Sequence, residues 1–296
     1  MRPLLFNFGS SDDLLRQIAD QVAGEVGTVD RRIFPDGETY LRFDNECKGR
    51  PVMVACSLDR PDKKLLPLLL GADTLHDLGA SHVGLIAPYL AYMRQDKQFS
   101  DGEGITARYF ADILGAHFDW LITVDPHLHR FRTLDEIYSI PAFALHAAPL
   151  LAEWICANVL RPIIIGPDRE SEQWVAEVAL GARCPYTILE KVRSGDRDVR
   201  VSVPELNGYR DRTPVLVDDI ISTGHTMIAT LEHLTRMGAP AAVCVAVHGV
   251  FAKGALSALH KAGALAIVTC NTIEHPSNGI DTTKIIAAAA RDIVAA

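Results

Sequence analysis

Two adjacent carboxylates, Asp218 and Asp219, stand between a short apolar run at 215–217 and a segment rich in serine, threonine and glycine at 222–226. The apolar run predicts a strand, and the small polar residues lead into a helical pattern. Residues just past the carboxyl end of a strand line the ligand crevice of an α/β sheet, and the amides of a loop at a helix N-terminus attract anions. The segment 222–226 is therefore a candidate phosphate site. The carboxylates are expected to face sugar hydroxyls, a hydrated Mg2+ ion, or both.

Each of these features also has a simpler interpretation. A serine or threonine before a helix commonly caps it, and a pair of aspartates at a strand end is commonly a solvated turn. The segment is thus consistent with a ligand site and with a capped helix after a solvated turn.

Four further stretches carry residues that could do chemistry. The segment 31–43 contains a Pro-Asp-Gly turn between two alternating segments, which predicts a hairpin. A long loop at 88–107 carries several charges, and a solvated loop is its simple interpretation. His127 and His129 are two residues apart without the sequence context of a zinc site, so a surface histidine pair is the alternative. Asp168 follows a predicted strand, either as a second acidic strand end or as a helix N-cap.

Short apolar runs alternate with longer helical patterns, which is typical of βαβ units and a mainly parallel sheet covered on both faces. The runs predict strands at 4–8, 52–56, 83–87, 121–125, 163–166, 215–218, 243–247 and 266–270. The helical patterns lie at 11–25, 64–79, 104–116, 146–159, 169–181, 226–238 and 252–262. We therefore expect two similar α/β domains, each a mainly parallel sheet flanked by helices, over 1–145 and 146–285. The end of a helix at 286–296 is expected to pack on the N-terminal domain.

Composition narrows the class of protein. The chain has 296 residues, 48% of them hydrophobic, which suits a globular protein with a substantial core. The formal net charge of -8 argues against a nucleic-acid or anionic-membrane partner, so local cations and backbone amides must hold any anionic substrate. The six cysteines are dispersed and are interpreted as reduced core thiols. The sequence contains no predicted signal peptide or membrane span, and a cytoplasmic location is expected.

The run 214–227 resembles the phosphoribosyl diphosphate (PRPP) motif of type I phosphoribosyltransferases. The motifs occur in the order and at about the intervals of the ribose-phosphate pyrophosphokinase family, and this similarity covers nearly the whole chain. Their key residues are Phe34, Asp36, Glu38, Arg94, Gln95, Asp125, His127, Asp168, Lys191, Arg193, Asp218 and Asp219. The resemblance implies that the anomeric hydroxyl of ribose 5-phosphate attacks the β-phosphorus of Mg-ATP, giving PRPP and AMP.

The resemblance also implies roles for the residues. Asp218 and Asp219 would hold the ribose hydroxyls, and His127 and Asp168 would help to hold Mg2+ around the ATP phosphates. The 5-phosphate would be bound by Ser222, Thr223, Gly224, His225 and Thr226. The ATP-binding residues would be Phe34, Asp36 and Glu38, on a hairpin supplied by a neighbouring subunit, together with Arg94 and Gln95. Lys191 and Arg193 would be the catalytic cations of a flexible loop that runs to about residue 212.

The chain departs from the family pattern at His225, where the pattern usually has glycine, so a positive φ at this position would be strained. Regulated members carry a Ser and an Arg where this chain has the segment 47–49, which argues against control by ADP and phosphate. Self-association as a dimer or higher oligomer is expected. Two other functions compete with the synthase: a nucleobase phosphoribosyltransferase, and a non-catalytic regulatory relative. The motifs before residue 100 argue against the first function, and Lys191 and Arg193 argue against the second.

Overall fold

The structure is a computed structural model that describes residues 1–168, 171–194, 198–202, 209 and 211–295. Within these ranges, residues 190–194 and 198–202 are described by their backbone alone.

The chain forms two compact units, each of which draws on more than one stretch of sequence. Unit 1 contains Met1–Leu145, Thr272–Glu274 and Thr282–Ala296, and unit 2 contains His146–Asn271 and His275–Asp281.

Unit 1 is built on a six-stranded sheet in which every neighbouring pair of strands is parallel. Its elements before residue 146 are β1 (Leu4–Gly9), α1 (Asp12–Gln21), β2 (Glu25–Val26), β3 (Val29–Ile33), β4 (Thr39–Phe43), β5 (Pro51–Cys56), α2 (Asp62–Asp77), β6 (His82–Ala87), α3 (Thr106–Gly115), β7 (Trp120–Val124) and β8 (Ala142–Leu145). The strand order is β2-β1-β5-β6-β7-β8, and β3 and β4 form a separate antiparallel hairpin.

Unit 2 has a second six-stranded parallel sheet, in the order β10-β9-β13-β14-β15-β16. Its elements are α4 (Ala148–Asn158), β9 (Pro162–Gly166), α5 (Glu172–Gly181), β10 (Tyr186–Ile188), β11 (Glu190–Ser194), β12 (Asp198–Ser202), β13 (Thr213–Ile221), α6 (His225–Arg236), β14 (Val243–Gly249), α7 (Ala255–Lys261), β15 (Ala266–Cys270) and β16 (Asn278–Ile280). β11 and β12 form an antiparallel hairpin of their own.

The two units share one topology. In each, the second strand lies at the outer edge beside the first, and a hairpin is inserted before the chain returns to the other side of the first strand. The chain then continues across the sheet to the far edge. One further helix, α8 (Thr283–Ala295), packs against α1, β7 and β8 of unit 1, whereas in unit 2 it is α4 that packs against α5, β14 and β16.

The central strands are apolar on both faces because helices cover both sides of each sheet. All residues of β7 and β14 are buried, as are all but the first residue of β5 and β6. In unit 2, β9, β13 and β14 form a core with the buried faces of α6 and α7, which include Met227, Leu231 and Leu259. This architecture confirms the predicted fold class of two units with mainly parallel sheets flanked by helices.

Some predicted boundaries and environments were wrong. The strand predicted to end at Asp218 continues to Ile221, because ladder pairing with β14 carries it past the carboxylates. The helix predicted at 252–262 begins at Ala255, after Gly254 with φ 85°. Part of the predicted catalytic loop is the β11–β12 hairpin. Cys156 is exposed and is therefore not a core thiol, unlike the buried Cys47, Cys56, Cys244 and Cys270.

Within the described ranges, none of the helices is both long and apolar enough to cross a membrane.

Candidate functional site

The acidic pair lies near the carboxyl end of β13, in the middle of the unit 2 sheet. Asp218 is paired in the ladder with Ala246 of β14, so the backbone position of the carboxylate is fixed on a central strand. The Asp218 Oδ1 atom accepts a 3.0 Å hydrogen bond from the amide of Asp219, and the Asp219 Oδ1 atom accepts one of 2.7 Å from the amide of Ile220. Both side chains are half-buried. The pair is therefore held by the strand itself and is not a freely solvated turn.

Burial raises the pKa of Asp218 well above its ordinary value, and the negative charges of Asp219 and Asp168 raise it further. The amide of Asp219 opposes this shift by donating to the carboxylate. The three carboxylates repel one another, and a bound cation or hydroxyl donors would relieve that repulsion. Such perturbed carboxyl groups are typical of functional sites.

The segment after the acidic pair forms an uncapped loop before α6. Gly224 precedes the helix with φ 72°, a left-handed conformation that glycine adopts without strain, and no side chain caps the helix. In contrast, Ser11 caps α1 by accepting a hydrogen bond from Asp13. In the part of the chain that the structure describes, no hydrogen bond occupies the amides of Ser222 or Thr223. The N-cap interpretation is therefore wrong for this loop, whose open amides suit an anion.

His225 does not strain the loop. It is the first residue of α6, and the positive φ lies one residue earlier, at Gly224. The conformation therefore accepts a side chain at 225, and the exposed imidazole is placed at the mouth of the anion loop.

A neighbouring segment that the sequence analysis did not single out supports this loop. After β14, the amides of Phe251 and Ala252 donate 3.0 Å hydrogen bonds to the carbonyls of Ile221 and Ser222. Phe251 has φ 36°, and its ring lies 4.5 Å from that of His275. The strained backbone at 251 is therefore held by packing and fixes the start of the loop. The only sequence signal was its place after a buried strand, at the sheet edge that carries the acidic pair.

Asp168 lies two residues past the end of β9 and is an acidic strand-end residue, whereas the N-cap of α5 is Ser171. The Asp168 Oδ1 atom accepts a 3.2 Å hydrogen bond from the amide of Ser171, the residue before α5, which is a local turn contact. Its charge also acts on Asp218, and Pro167 and Asp218 line one small apolar cavity together with Thr226. The structure therefore brings together Asp168, the acidic pair and the anion loop.

The predicted catalytic cations lie on the hairpin of unit 2. Lys191 and Arg193 belong to β11 and are paired with Val201 and Val199 of β12. Their side chains lie outside what the structure describes, as do residues 195–197, 203–208 and 210 of the predicted loop. Their catalytic role stays a prediction.

The ATP hairpin of unit 1 presents its predicted residues to solvent. Phe34, Asp36 and Glu38 occupy the turn between β3 and β4, and all three are exposed. The amide of Phe34 donates to the carbonyl of Glu38 at 2.8 Å, and the Asp36 carboxylate accepts from the amide of Glu38 at 3.2 Å. These two hydrogen bonds close the turn. The Phe34 ring, which is 47% exposed, is available to a ligand or another chain.

Arg94 and Gln95 follow β6, and His127 follows the neighbouring strand β7. Gln95 is anchored to the start of α3, because its side chain accepts from Thr106 Oγ1 at 3.1 Å and its carbonyl accepts from the amide of Ala107 at 3.2 Å. Arg94 is exposed between this anchor and the buried Met93. Gln95 is therefore held against the start of α3, and the neighbouring Arg94 is exposed to solvent.

His127 lies in a tightly held turn. The preceding Asp125 is 9% exposed and has φ 32°, and its amide donates to the carbonyl of Leu145 at 2.8 Å. The ring of His127 makes an edge contact with His129, with centroids 4.0 Å apart. The half-buried His127 and the exposed His129 are thus a contacting pair near the end of β7.

The donor set can be tested against the Mg2+ ion that the family resemblance implies. Among the residues that the structure describes, no three His, Cys, Asp or Glu side chains converge on one point. A preformed cage of protein ligands is therefore not present there. Mg2+ commonly keeps several waters and takes only one or two carboxylates together with substrate phosphates. The carboxylates of Asp218 and Asp219 repel each other, and a bound cation would relieve that repulsion. They therefore fit this mode of Mg2+ binding.

A parallel α/β sheet with an acidic pair near a central strand end, followed by an uncapped anion loop, defines a phosphoribosyltransferase-type protein. Two family models match: phosphoribosyl transferase domain over residues 133–283, and N-terminal domain of ribose phosphate pyrophosphokinase over residues 4–117. The chain belongs to the ribose-phosphate pyrophosphokinase family.

Individual relatives agree with this assignment. Ribose-phosphate pyrophosphokinases of Methanobrevibacter smithii and Methanothermobacter thermautotrophicus are 30% and 32% identical to this chain, each over 98% of it and 100% of the relative. The crystal structure of phosphoribosylpyrophosphate synthetase from Mycobacterium smegmatis is 26% identical and superimposes with a TM-score of 0.86 over 99% of both chains.

Proposed function

We propose that this chain is a ribose-phosphate diphosphokinase, which transfers the β,γ-diphosphoryl group of ATP to the C1 hydroxyl of ribose 5-phosphate and yields PRPP and AMP. Family membership over both halves of the chain supports the reaction. One observation in the structure supports the assignment most directly. The two mutually repelling carboxylates lie on the central strand β13, and the open anion loop follows directly after that strand.

Ribose 5-phosphate is proposed to bind along the end of β13. Its 5-phosphate would accept hydrogen bonds from the amides and hydroxyls of residues 222–226, assisted by the positive end of α6. Asp218 and Asp219 would accept hydrogen bonds from the ribose hydroxyls. The sugar would thus be fixed at both ends, which orients its C1 hydroxyl.

ATP is proposed to bind to Arg94 and Gln95 of unit 1 and to the turn that carries Phe34, Asp36 and Glu38. The exposed ring of Phe34 suits stacking on an adenine base, and carboxylates can accept hydrogen bonds from its amino group. This turn is proposed to reach the ATP site of a neighbouring copy, which makes self-association part of the function.

Diphosphoryl transfer requires alignment and charge neutralisation more than covalent help from the protein. Mg2+, when bound, would neutralise the phosphate oxygens. His127 and Asp168 are proposed to help hold it, and the Asp218 and Asp219 pair would lie close to it. Lys191 and Arg193 are proposed to stabilise the negative charge that moves onto the departing AMP.

The reaction is tested by following AMP formation from ATP and ribose 5-phosphate with the purified chain. We expect AMP and PRPP in equal amounts, only when Mg2+ is present, and none when ribose 5-phosphate is omitted. Release of diphosphate from PRPP with a free nucleobase, without AMP formation from ATP, would instead identify a nucleobase phosphoribosyltransferase. Absence of both activities in a folded chain would favour a regulatory relative.

The anion loop can be tested with two glycines that flank the same helix. Gly224 before α6 and Gly238 after it have φ of 72° and 70°, so alanine at either position carries a similar backbone penalty of about 1–2 kcal/mol. We expect Gly224→Ala to raise KM for ribose 5-phosphate severalfold or more, because it displaces the loop amides. Gly238→Ala should lower the thermal midpoint to a similar extent and leave that KM unchanged. Equal KM values for the two variants would contradict the phosphate role of the loop.

A further inference from the structure

The start of the anion loop, residues 222–226, depends on an unfavourable backbone conformation at Phe251. This residue follows β14 and has φ 36°, a region that bulky residues rarely adopt. In this conformation its amide donates to the carbonyl of Ile221, and the amide of Ala252 donates to the carbonyl of Ser222, both at 3.0 Å. A backbone strained in this way persists only when its surroundings hold it.

The two hydrogen bonds orient the first amides of the loop. A trans peptide is planar, and its C=O and N–H point in opposite directions. The Ile221 carbonyl shares a peptide with the Ser222 amide, and the Ser222 carbonyl shares one with the Thr223 amide. Because the two carbonyls face the amides of residues 251 and 252, the two loop amides face away from that segment. These are amides that we propose to bind the 5-phosphate.

The Phe251 side chain is held between the core of unit 2 and the imidazole of His275. Phe251 is 8% exposed and belongs to the same core as Leu259. Gly249 leaves room for the ring, since a Cβ atom there would lie 2.6 Å from the Cε2 atom of Phe251. The imidazole of His275 lies against the ring, with centroids 4.5 Å apart and planes inclined by 35°. Aromatic rings attract each other at this separation.

A chain of hydrogen bonds anchors the imidazole. Asn278 Nδ2 donates to Thr269 Oγ1 at 3.0 Å and to the carbonyl of Cys270 at 2.8 Å, while its Oδ1 accepts from the amide of His275 at 2.9 Å. Thr269 Oγ1 lies 2.8 Å from Ser277 Oγ, which lies 2.8 Å from His275 Nδ1. The amide of Ser277 also donates to this Nδ1 atom, at 3.2 Å.

The direction of this chain defines the state of the ring. An amide N–H can only donate, so His275 Nδ1 is an acceptor and the neutral imidazole carries its proton on Nε2. Thr269 Oγ1, which receives a hydrogen from Asn278, can then donate to Ser277 Oγ, and Ser277 Oγ can donate to His275. Burial lowers the pKa of His275, which agrees with a neutral ring. Thr269 is fully buried on β15, so the imidazole is tied to the unit 2 sheet.

We propose that His275 is a positioning residue for ribose 5-phosphate. Its imidazole, anchored to β15, holds the ring of Phe251, and Phe251 in turn holds the backbone that orients the amides of Ser222 and Thr223. His275 thus acts through Phe251 and not by contact with the phosphate. This inference rests on the proposed function, because it takes ribose 5-phosphate as the ligand of the loop.

The role of the ring is tested with two His275 variants, whose binding of ribose 5-phosphate is measured by titration calorimetry with Mg2+ present. His275→Asn keeps an acceptor for Ser277 but has no ring, and we expect it to bind about threefold to tenfold more weakly, as loss of an aromatic contact predicts. His275→Phe keeps the ring and should bind nearly as tightly as wild type. Its thermal midpoint should fall, because the amide of Ser277 loses its acceptor.

The matched control is His260→Asn, which changes an exposed histidine in the last turn of α7 and should bind like wild type. In the active enzyme, His275→Asn should raise KM for ribose 5-phosphate and leave KM for ATP unchanged. Lower midpoints for both His275 variants with unchanged binding would show a purely structural role and overturn the proposal. Weaker binding by His275→Phe than by His275→Asn would overturn it as well.

The path through Phe251 is tested by a double-variant cycle. Phe251→Leu should weaken binding of ribose 5-phosphate, and adding His275→Asn to it should cause no further loss, because the two residues act in series. Independent losses that multiply would refute the path. Calorimetry does not require turnover, so a wild type that binds ribose 5-phosphate without forming AMP contradicts the proposed reaction alone, and the dissociation constants still judge His275. A wild type that does not bind ribose 5-phosphate contradicts both proposals.

Discussion

Asp218→Asn is expected to abolish most activity while making the ligand-free protein more stable. Hydrogen bonds to charged groups contribute about 1.5–3 kcal/mol each. Losing the carboxylate that holds a ribose hydroxyl should therefore lower kcat/KM for ribose 5-phosphate by about 10- to 100-fold. The ligand-free protein gains because the amide removes a charge that is half-buried beside Asp219. Each kcal/mol of repulsion relieved should raise the thermal midpoint by about 2–4 °C.

The stability gain should depend on pH in a defined direction. The pKa of Asp218 is raised in the folded chain, mainly by burial and then by Asp219, so its contribution to stability is fully present below the unfolded pKa of about 3.9 and is lost as pH rises through the folded pKa. The midpoint difference between Asp218→Asn and wild type should therefore grow from pH 4 upward. Mg2+ with ribose 5-phosphate should stabilise wild type and have little effect on the variant.

The matched control is Asp211→Asn, which also removes one carboxylate from unit 2. The Asp211 side chain is 57% exposed and pairs with Arg161 at the surface, where such pairs contribute little. Its activity should match wild type. An Asp218→Asn protein that is less stable than wild type at pH 7 would show that the carboxylate is structural, and the assigned role would be wrong.

Lys191→Ala is expected to reduce kcat by about 10^2 or more with much smaller changes in KM for ATP and ribose 5-phosphate. A cation that meets charge developing on the leaving group acts in the transition state, and one preorganised charged donor contributes about 3–4 kcal/mol in comparable sites. The backbone ladder between β11 and β12 does not use the lysine side chain, so the fold should persist. Steady-state kinetics with circular dichroism would check both expectations.

Lys261→Ala provides the comparison, because Lys261 lies in the last turn of α7 and its removal also lowers the positive charge of unit 2 by one. Its kcat should stay at the wild-type value. If Lys191→Ala raises KM strongly and leaves kcat near wild type, Lys191 binds the ground state, and the proposed transition-state role fails.

The sequence predicted the central elements of both units because they are buried on both faces. Short, wholly apolar runs such as 52–56 and 243–247 indicate strands that are covered on both faces. Both strands end within two residues of their predicted ends. The short edge strands β2, β10 and β16 were not predicted. Two or three residues carry too little periodicity, and their pairing depends on a neighbour that is distant in the sequence.

Parts of the candidate site were also beyond sequence reasoning. The pattern at 214–227 located the acidic pair and the loop, but the raised pKa of Asp218 depends on burial and on Asp168, fifty residues earlier. The support from Phe251 arises from two backbone hydrogen bonds that no residue type signals. The predicted strain at His225 was avoided because the chain reverses at Gly224. Roles for ATP residues rested on resemblance alone, since exposed turns have no distinguishing periodicity.

The position of α8 has a consequence for how the protein is made. Unit 1 receives from α8 the contacts that unit 2 receives from α4, and four residues of α8 are buried there: Thr283, Ile286, Ala287 and Ala290. During synthesis the whole of unit 2 is translated between Leu145 and this helix. Until α8 has been synthesised, unit 1 therefore exposes the apolar surface beside α1 that α8 covers in the folded chain. Stop codons placed before residue 283 should thus damage the first-made half of the protein, and chaperone demand should fall on that half.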